Sequence, residues 1–237
     1  MEKFWQQIQD NALFLLGCIG VIAVLAIAAR IAEHFMPATR KVSKARRITI
    51  VAVCSAIAAV LHMLDFPLLF LAPDFYKLDF SELPVMLCGF YLGPSAAVAC
   101  EAVKILLKLL IKGTSTAYVG DFANFAVGCS LVLPAIIIYH TKKSRASALW
   151  GLIAGTFTMT VFGSAFNAVY LLPRFSELYG LPLDSIIAMG TKVNGSIHSL
   201  STFVLLAVAP LNLVKGLCIS VLTLLLYKRV ARPLFGK

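Results

Sequence analysis

Charge is scarce in this chain. Only 14% of its 237 residues are Asp, Glu, Lys or Arg, against about a quarter in an ordinary soluble domain. The rest is 60% hydrophobic, with a mean hydropathy of +0.90. Acidic groups are scarcer still, 11 against 21 basic ones. Other absences narrow the function. There is no G-x-x-x-x-G-K-[ST] loop, so the chain does not hydrolyse ATP through a P-loop. HExxH and GxSxG are missing, and no pair of carboxylates stands out in mid-span to relay protons. The six cysteines (Cys18, Cys54, Cys88, Cys100, Cys129, Cys218) form no CxxC, and the four histidines have no metal-ligand spacing. They read as small membrane hydrophobes and scattered side chains, and no metal is expected. No basic patch is interleaved with aromatics, so nucleic acid is not expected as a partner. Neither a soluble domain nor an internal repeat is visible, and the missing repeat weighs against inverted-repeat transporters.

What is present is a series of apolar runs too long for a soluble core. They lack the period-2 alternation of barrel strands, so helices satisfy the backbone in lipid. The spacing predicts spans over Asn11–Ala32, Ile48–Leu71, Leu83–Leu92, Ser95–Ile111, Phe122–Tyr139, Leu149–Leu172 and Phe203–Tyr227. The first is read as a retained helix, not a signal peptide, because a mixed-charge start precedes it and a basic cluster follows. Basic residues gather in three places: Arg40, Lys41, Lys44, Arg46 and Arg47; Lys142, Lys143 and Arg145; and Lys228, Arg229, Arg232 and Lys237. They share one side of a membrane only if Leu83–Ile111 crosses twice, turning at Gly93-Pro94. The positive-inside rule then places the N-terminus outside and the C-terminus in the cytoplasm. Leu83–Leu92 is short against the roughly 20 residues of a full span and needs shielding by neighbours. The long external stretch Pro173–Thr202 is expected to hold a short helix.

Polar residues inside these runs are the candidates for function. Asn212 and Lys215 are three apart in an apolar run, so they share a helix face. Burying both in hydrocarbon is costly unless they face a cavity or a partner, and ligand binding is favoured over an interhelical bond with a snorkelling lysine. Asn167 is helix glue or a ligand contact in equal measure. In Leu78-Asp79-Phe80-Ser81-Glu82-Leu83-Pro84, Asp79 or Ser81 suits a helix cap. Asp121 suits a helix N-terminus, and Asn124, one turn deeper, needs a partner. Glu101, Lys104 and Lys108 share one face and read as an ion pair with snorkelling lysines. Ala52 with Ala56, and Ser55 with Ala59, form small-xxx-small faces that let helices approach closely.

The order and spacing of Leu78–Pro84, Gly93-Pro94, Gly120-Asp121-Phe122-Ala123-Asn124-Phe125 and Pro210-Leu211-Asn212-Leu213-Val214-Lys215 resemble one family. These are the substrate-binding S-components of energy-coupling-factor (ECF) vitamin transporters, of the riboflavin-specific type. Where that family more often has Gly-Glu and Ser-Asp-Ile-Pro, this chain has Gly120-Asp121 and Ser81-Glu82-Leu83-Pro84. The resemblance implies an all-α integral membrane protein: a six-helix S-component bundle over residues 46–232 and one extra N-terminal transmembrane helix within residues 1–37. It implies a non-enzymatic subunit of a bacterial cell-membrane importer. Riboflavin or a related flavin is its ligand and no cofactor is needed; a transmembrane coupling subunit and two ATP-binding-cassette ATPases are its partners, with membrane lipid around it. Asn212 and Lys215 map onto positions that contact the flavin ring, Asn167 onto a further polar contact, and Ala52 and Ala56 onto the coupling-subunit face. Leu78 and Phe80 suit an apolar slot; Asp79, Asp121 and Asn124 are further candidates for the site. Rival readings are an S-component for another vitamin, a stand-alone secondary carrier and a membrane-embedded enzyme.

Overall fold

The computed structural model describes residues 12–36 and 42–235. Arg40, Lys41, Lys237 and the first expected helical residue, Asn11, lie outside the described residues. Among the described residues ten α-helices follow in order: α1 (Ala12–His34), α2 (Lys44–Met63), α3 (Glu82–Leu92), α4 (Pro94–Lys112), α5 (Val119–Lys142), α6 (Arg145–Phe166), α7 (Leu172–Tyr179), α8 (Leu183–Val193), α9 (Leu200–Phe203) and α10 (Ala209–Phe235). Five helical stretches among the described residues are long and apolar enough to cross a membrane: Phe14–His34, Lys44–Met63, Val119–Lys142, Arg145–Tyr179 and Leu200–Arg229. Their outward faces carry large apolar side chains such as Phe157, Val161, Leu217 and Val221 in the open. In water that surface would aggregate; against lipid tails it is matched to its solvent.

The expected second span was too long. The helix stops at Met63, because Phe66 precedes Pro67 and the residue before proline is pushed out of the α region. The chain then pairs β1 (Phe66–Pro67) antiparallel with β2 (Lys77–Leu78), Phe66 opposite Leu78. This small ladder and its connecting loop return the chain to α3.

α3 has only 11 residues, about 16 Å at 1.5 Å per residue. It survives because it is hidden: Val85, Met86, Cys88 and Leu92 are fully buried between α2, α4, α5 and α10. Gly93 (φ 106°) turns the chain there, in a region only glycine adopts freely, and Pro94 starts α4 with the φ it already has. The two short apolar runs expected there are thus two helices joined by a turn at Gly93-Pro94.

The described parts of the three basic regions lie at one end of the bundle. His140 Nε2 on α5 lies 3.0 Å from the Gly89 carbonyl near the end of α3, and Tyr139 stacks on Phe90, with Tyr227 of α10 edge-on to both. At the same end, Glu33 of α1 accepts from the Ser95 backbone N–H (2.9 Å) and hydroxyl (2.8 Å), and Arg47 of α2 donates to that hydroxyl at 2.6 Å. Glu33 thus satisfies an orphan donor at the start of α4. α1 packs mainly on α4 and less on α5, and the face of α2 that carries Ala52 and Ala56 stays exposed.

Three apolar cores result: one joins α1 to α4 and α5 through Ala29, Val98, Ile105 and Phe125, and two mark the ends of the bundle. Of these two, the core at the basic end includes Met86, Leu92, Leu131, Ile136, Leu152 and Ile219. The other, at the opposite end, includes Tyr76, Leu171, Leu172, Ile197, Phe203 and Val208. The long stretch after α6 supplies much of the latter, through α7, the expected short helix α8, and α9.

Candidate functional site

Between the two end cores lies a cluster of ionisable groups that the rest of the fold seals. Lys215 of α10 donates to Asp79 Oδ2 and to Glu82 Oε1, both at 3.0 Å. Lys104 of α4 pairs with Glu101 Oε2 at 2.5 Å and with Glu82 Oε1 at 3.5 Å, and donates to Ser81 Oγ at 3.1 Å. His62 Nδ1, at the end of α2, is 3.5 Å from Asp79 Oδ2. Glu82, Glu101, Lys104 and Ser81 are at most 1% exposed, Asp79 is 3% and Lys215 8%. An ammonium removed from water needs such partners, since the cost of desolvation is recovered only by close, well-satisfied pairing.

Three expectations are corrected here. Lys104 does not snorkel; it is fully buried, because Glu101 and Glu82 hold its ammonium inside the bundle. The interior also does carry close carboxylates, since Glu82 enters it from the first turn of the buried α3. Neither Asp79 nor Ser81 caps α3 by its side chain. Asp79 Oδ1 instead accepts the Ser81 N–H at 2.8 Å, which aims its other oxygen at Lys215.

A second polar group lies beside the charged one. Asn167 Nδ2 donates to the Gly163 carbonyl at 2.7 Å, and Tyr76 Oη donates to Asn167 Oδ1 at 2.6 Å. The carbonyl can only accept, so it fixes which way the amide points. Asn212 packs against Gly163; a Cβ there would come within 2.8 Å of Asn212 Nδ2. That Nδ2 is buried and has no hydrogen-bond partner. Each asparagine sits next to a π-helical turn, Asn167–Leu171 and Val204–Val208. Both turns end just before a proline, Pro173 or Pro210, whose missing N–H cannot complete the α-helical ladder. Such π-turns recur at functional sites.

Asn212, Lys215, Asn167 and Asp79 thus converge. Leu78, buried in β2, and Phe80, half-buried against Phe66, flank Asp79. Asp121 is engaged elsewhere: Lys108 pairs with its Oδ1 at 2.5 Å and Thr114 donates to its Oδ2 at 2.7 Å. Asn124 Oδ1 is buried without a partner. The site residues that local reasoning missed are Tyr76, Glu82 and Gly163. Only Glu82 left a signal, as an acid opening an apolar helix.

What this interior can do is hydrogen-bond a polar-edged molecule. Asn212 offers a free amide N–H, and an ammonium has three donors, of which Lys215 spends two on carboxylates.

Comparison with known proteins shows the family of the chain. The sequence model of the family described as "ECF transporter, substrate-specific component" matches residues 46–227. The riboflavin transporter RibU of Staphylococcus aureus (strain TCH60) is 37% identical over 186 residues, 78% of this chain and 90% of that protein. The riboflavin transporter FmnP of Bacillus subtilis (strain 168) is 32% identical over 185 residues, 78% of this chain and 91% of that one. A solved structure, described as the S component of a bacterial ECF transporter, superimposes with a TM-score of 0.62 and 36% identity, over 80% of this chain and 97% of its own. α1 precedes the region that the family model matches.

Proposed function

The chain belongs to the substrate-specific components of ECF transporters, and from that premise we propose that it binds riboflavin. Its partners would be a transmembrane coupling subunit and two separate ATPases, which move the vitamin across a bacterial plasma membrane. The observation that carries the ligand is the pair of unspent donors on one face of α10: the Asn212 amide N–H and the third hydrogen of Lys215. The pyrimidine edge of an isoalloxazine presents carbonyl and ring-nitrogen acceptors around one N–H, which such donors match. Asn167, held by Tyr76 and Gly163, adds a further amide. Leu78 and Phe80 supply apolar wall, and Asp79 holds Lys215 in place. Asn124 has a free acceptor for a ribityl hydroxyl, whereas Asp121 braces α4 on α5. A mostly apolar enclosure with a few placed polar groups is the usual design for a small ligand.

In this reading, residues 46–232 form a six-helix binding domain, and α1, within residues 1–37, is an additional span. The basic end faces the cytoplasm, which puts the N-terminus and the binding site toward the outside. Ala52 and Ala56, exposed on α2, form the small-residue face for the coupling subunit, and α1 leaves that face open. Ala52→Trp or Ala56→Trp then spares riboflavin binding and abolishes uptake in cells carrying the whole transporter. A mutant that transports normally removes that assignment.

The ligand is tested by titrating riboflavin fluorescence with the full-length protein in detergent, beside a panel of other vitamins, and by recording its visible spectrum. Quenching by riboflavin alone supports the proposal. No quenching, with saturable binding of another vitamin, replaces it.

A further inference from the structure

We propose that the site discriminates between the oxidation states of its ligand, taking the uncharged oxidised ring and rejecting the anionic reduced one. The proposal rests on the flavin reading above and adds a selectivity that a lone lysine would not give.

A free ammonium against the pyrimidine edge would favour whichever ring form carries negative charge. Lys215 is not free. Its ammonium touches Asp79 and Glu82 at 3.0 Å each, and Glu82 also faces Lys104, whose other partner is Glu101. With its carboxylates and lysines ionised, the cluster holds three carboxylates and two ammoniums, an excess of one negative charge. A single added proton brings it to neutrality. Buried oxygens remain without hydrogen-bond partners on the acidic side, Glu82 Oε2 and Glu101 Oε1. Asn212, one turn before Lys215 on α10, adds an uncharged amide donor. So the interior offers hydrogen bonds but no net positive charge.

Oxidised isoalloxazine is neutral and meets those donors with its carbonyls. On reduction it takes up two electrons and one proton and becomes an anion, with its charge on the N1–C2 carbonyl edge. In a site shielded from water, charges interact far more strongly than in solution. The extra anion would have to be buried without a counter-charge, which is costly. Asp79 and Glu82 therefore act through Lys215, as positioning and charge-balancing residues.

The test uses full-length protein with riboflavin, anaerobically at mildly alkaline pH, where the reduced ring is anionic, with dithionite as reductant. The affinity of each ring form and the midpoint potential of bound against free flavin are measured. The expected result is at least tenfold weaker binding of the reduced form. For this two-electron couple that equals a lowering of the potential by about 30 mV. Glu82→Gln keeps the side chain's shape and removes one negative charge, so it should narrow the ratio and raise the bound potential. Asp79→Asn or Glu101→Gln serves in its place if that variant does not fold. Equal or tighter binding of the reduced ring overturns the proposal, as does a ratio unmoved by these variants. Failure of oxidised riboflavin to bind overturns the flavin reading and this inference together, whereas good binding without discrimination overturns this inference alone.

Discussion

The charged cluster and the amide cluster are neighbours, yet they meet burial in opposite ways. Lys104 and Lys215 find their carboxylates within the fold itself, whereas the Asn212 amide N–H is left unspent. The difference follows from what each group loses in leaving water. An unpaired buried charge costs several kcal/mol, so its partners must belong to the fold itself. An unpaired amide costs about 1–3 kcal/mol, a deficit a folded domain can carry until a ligand removes it. The charged cluster is therefore read as scaffold that holds a donor in position, and the amides as the recognition surface.

Variants can break that division. The largest effect is expected from Glu82→Ala, which takes a shared carboxylate from both lysines. Breaking a buried pair costs about 3–5 kcal/mol. Because Lys104 keeps Glu101 and Lys215 keeps Asp79, the loss should fall toward the lower end, read as a reduced thermal unfolding midpoint in detergent. A midpoint equal to that of the parent would mean the cluster is not scaffold. Next comes Asn212→Ala. Its Nδ2 has no partner to lose, so stability should hardly change while riboflavin affinity falls by about 1–3 kcal/mol, through an unpaired ligand group. If stability falls and affinity does not, the roles of the clusters are reversed. The smallest effect is expected from Tyr76→Phe, which removes one neutral hydrogen bond to Asn167. It should cost affinity by about 1 kcal/mol, with the Asn167–Gly163 bond keeping the amide oriented. A calorimetric titration that finds no change would place Asn167 outside the ligand's reach.

Some of this was legible in the chain and some was not, and the dividing line is local against distant. The face shared by Asn212 and Lys215 follows from helical period alone. The need to shield Leu83–Leu92 follows from its length, and the structure supplies the shield. The turn at Gly93-Pro94 between two helices was expected from where the basic residues lie, and the structure has that turn. The misjudged end of α2 was in principle readable, since Phe66-Pro67 carries the local signal that stops a helix. The burial of Lys104 was not readable, because a lysine beside a glutamate on one helix looks the same whether it snorkels or is drawn inward. Glu82, arriving from α3, decided it.

By itself the sequence determined that the chain suits a membrane, roughly where its long apolar helices run and which family it belongs to. Those properties depend on composition, period and motif order, which are written along the chain. Only the tertiary structure decided what Lys215 faces. Asp79 and Glu82 lie 136 and 133 residues away from it in sequence. No periodicity spans such a distance; the pairing exists because α3, α4 and α10 pack together and exclude the water that would otherwise have solvated each charge.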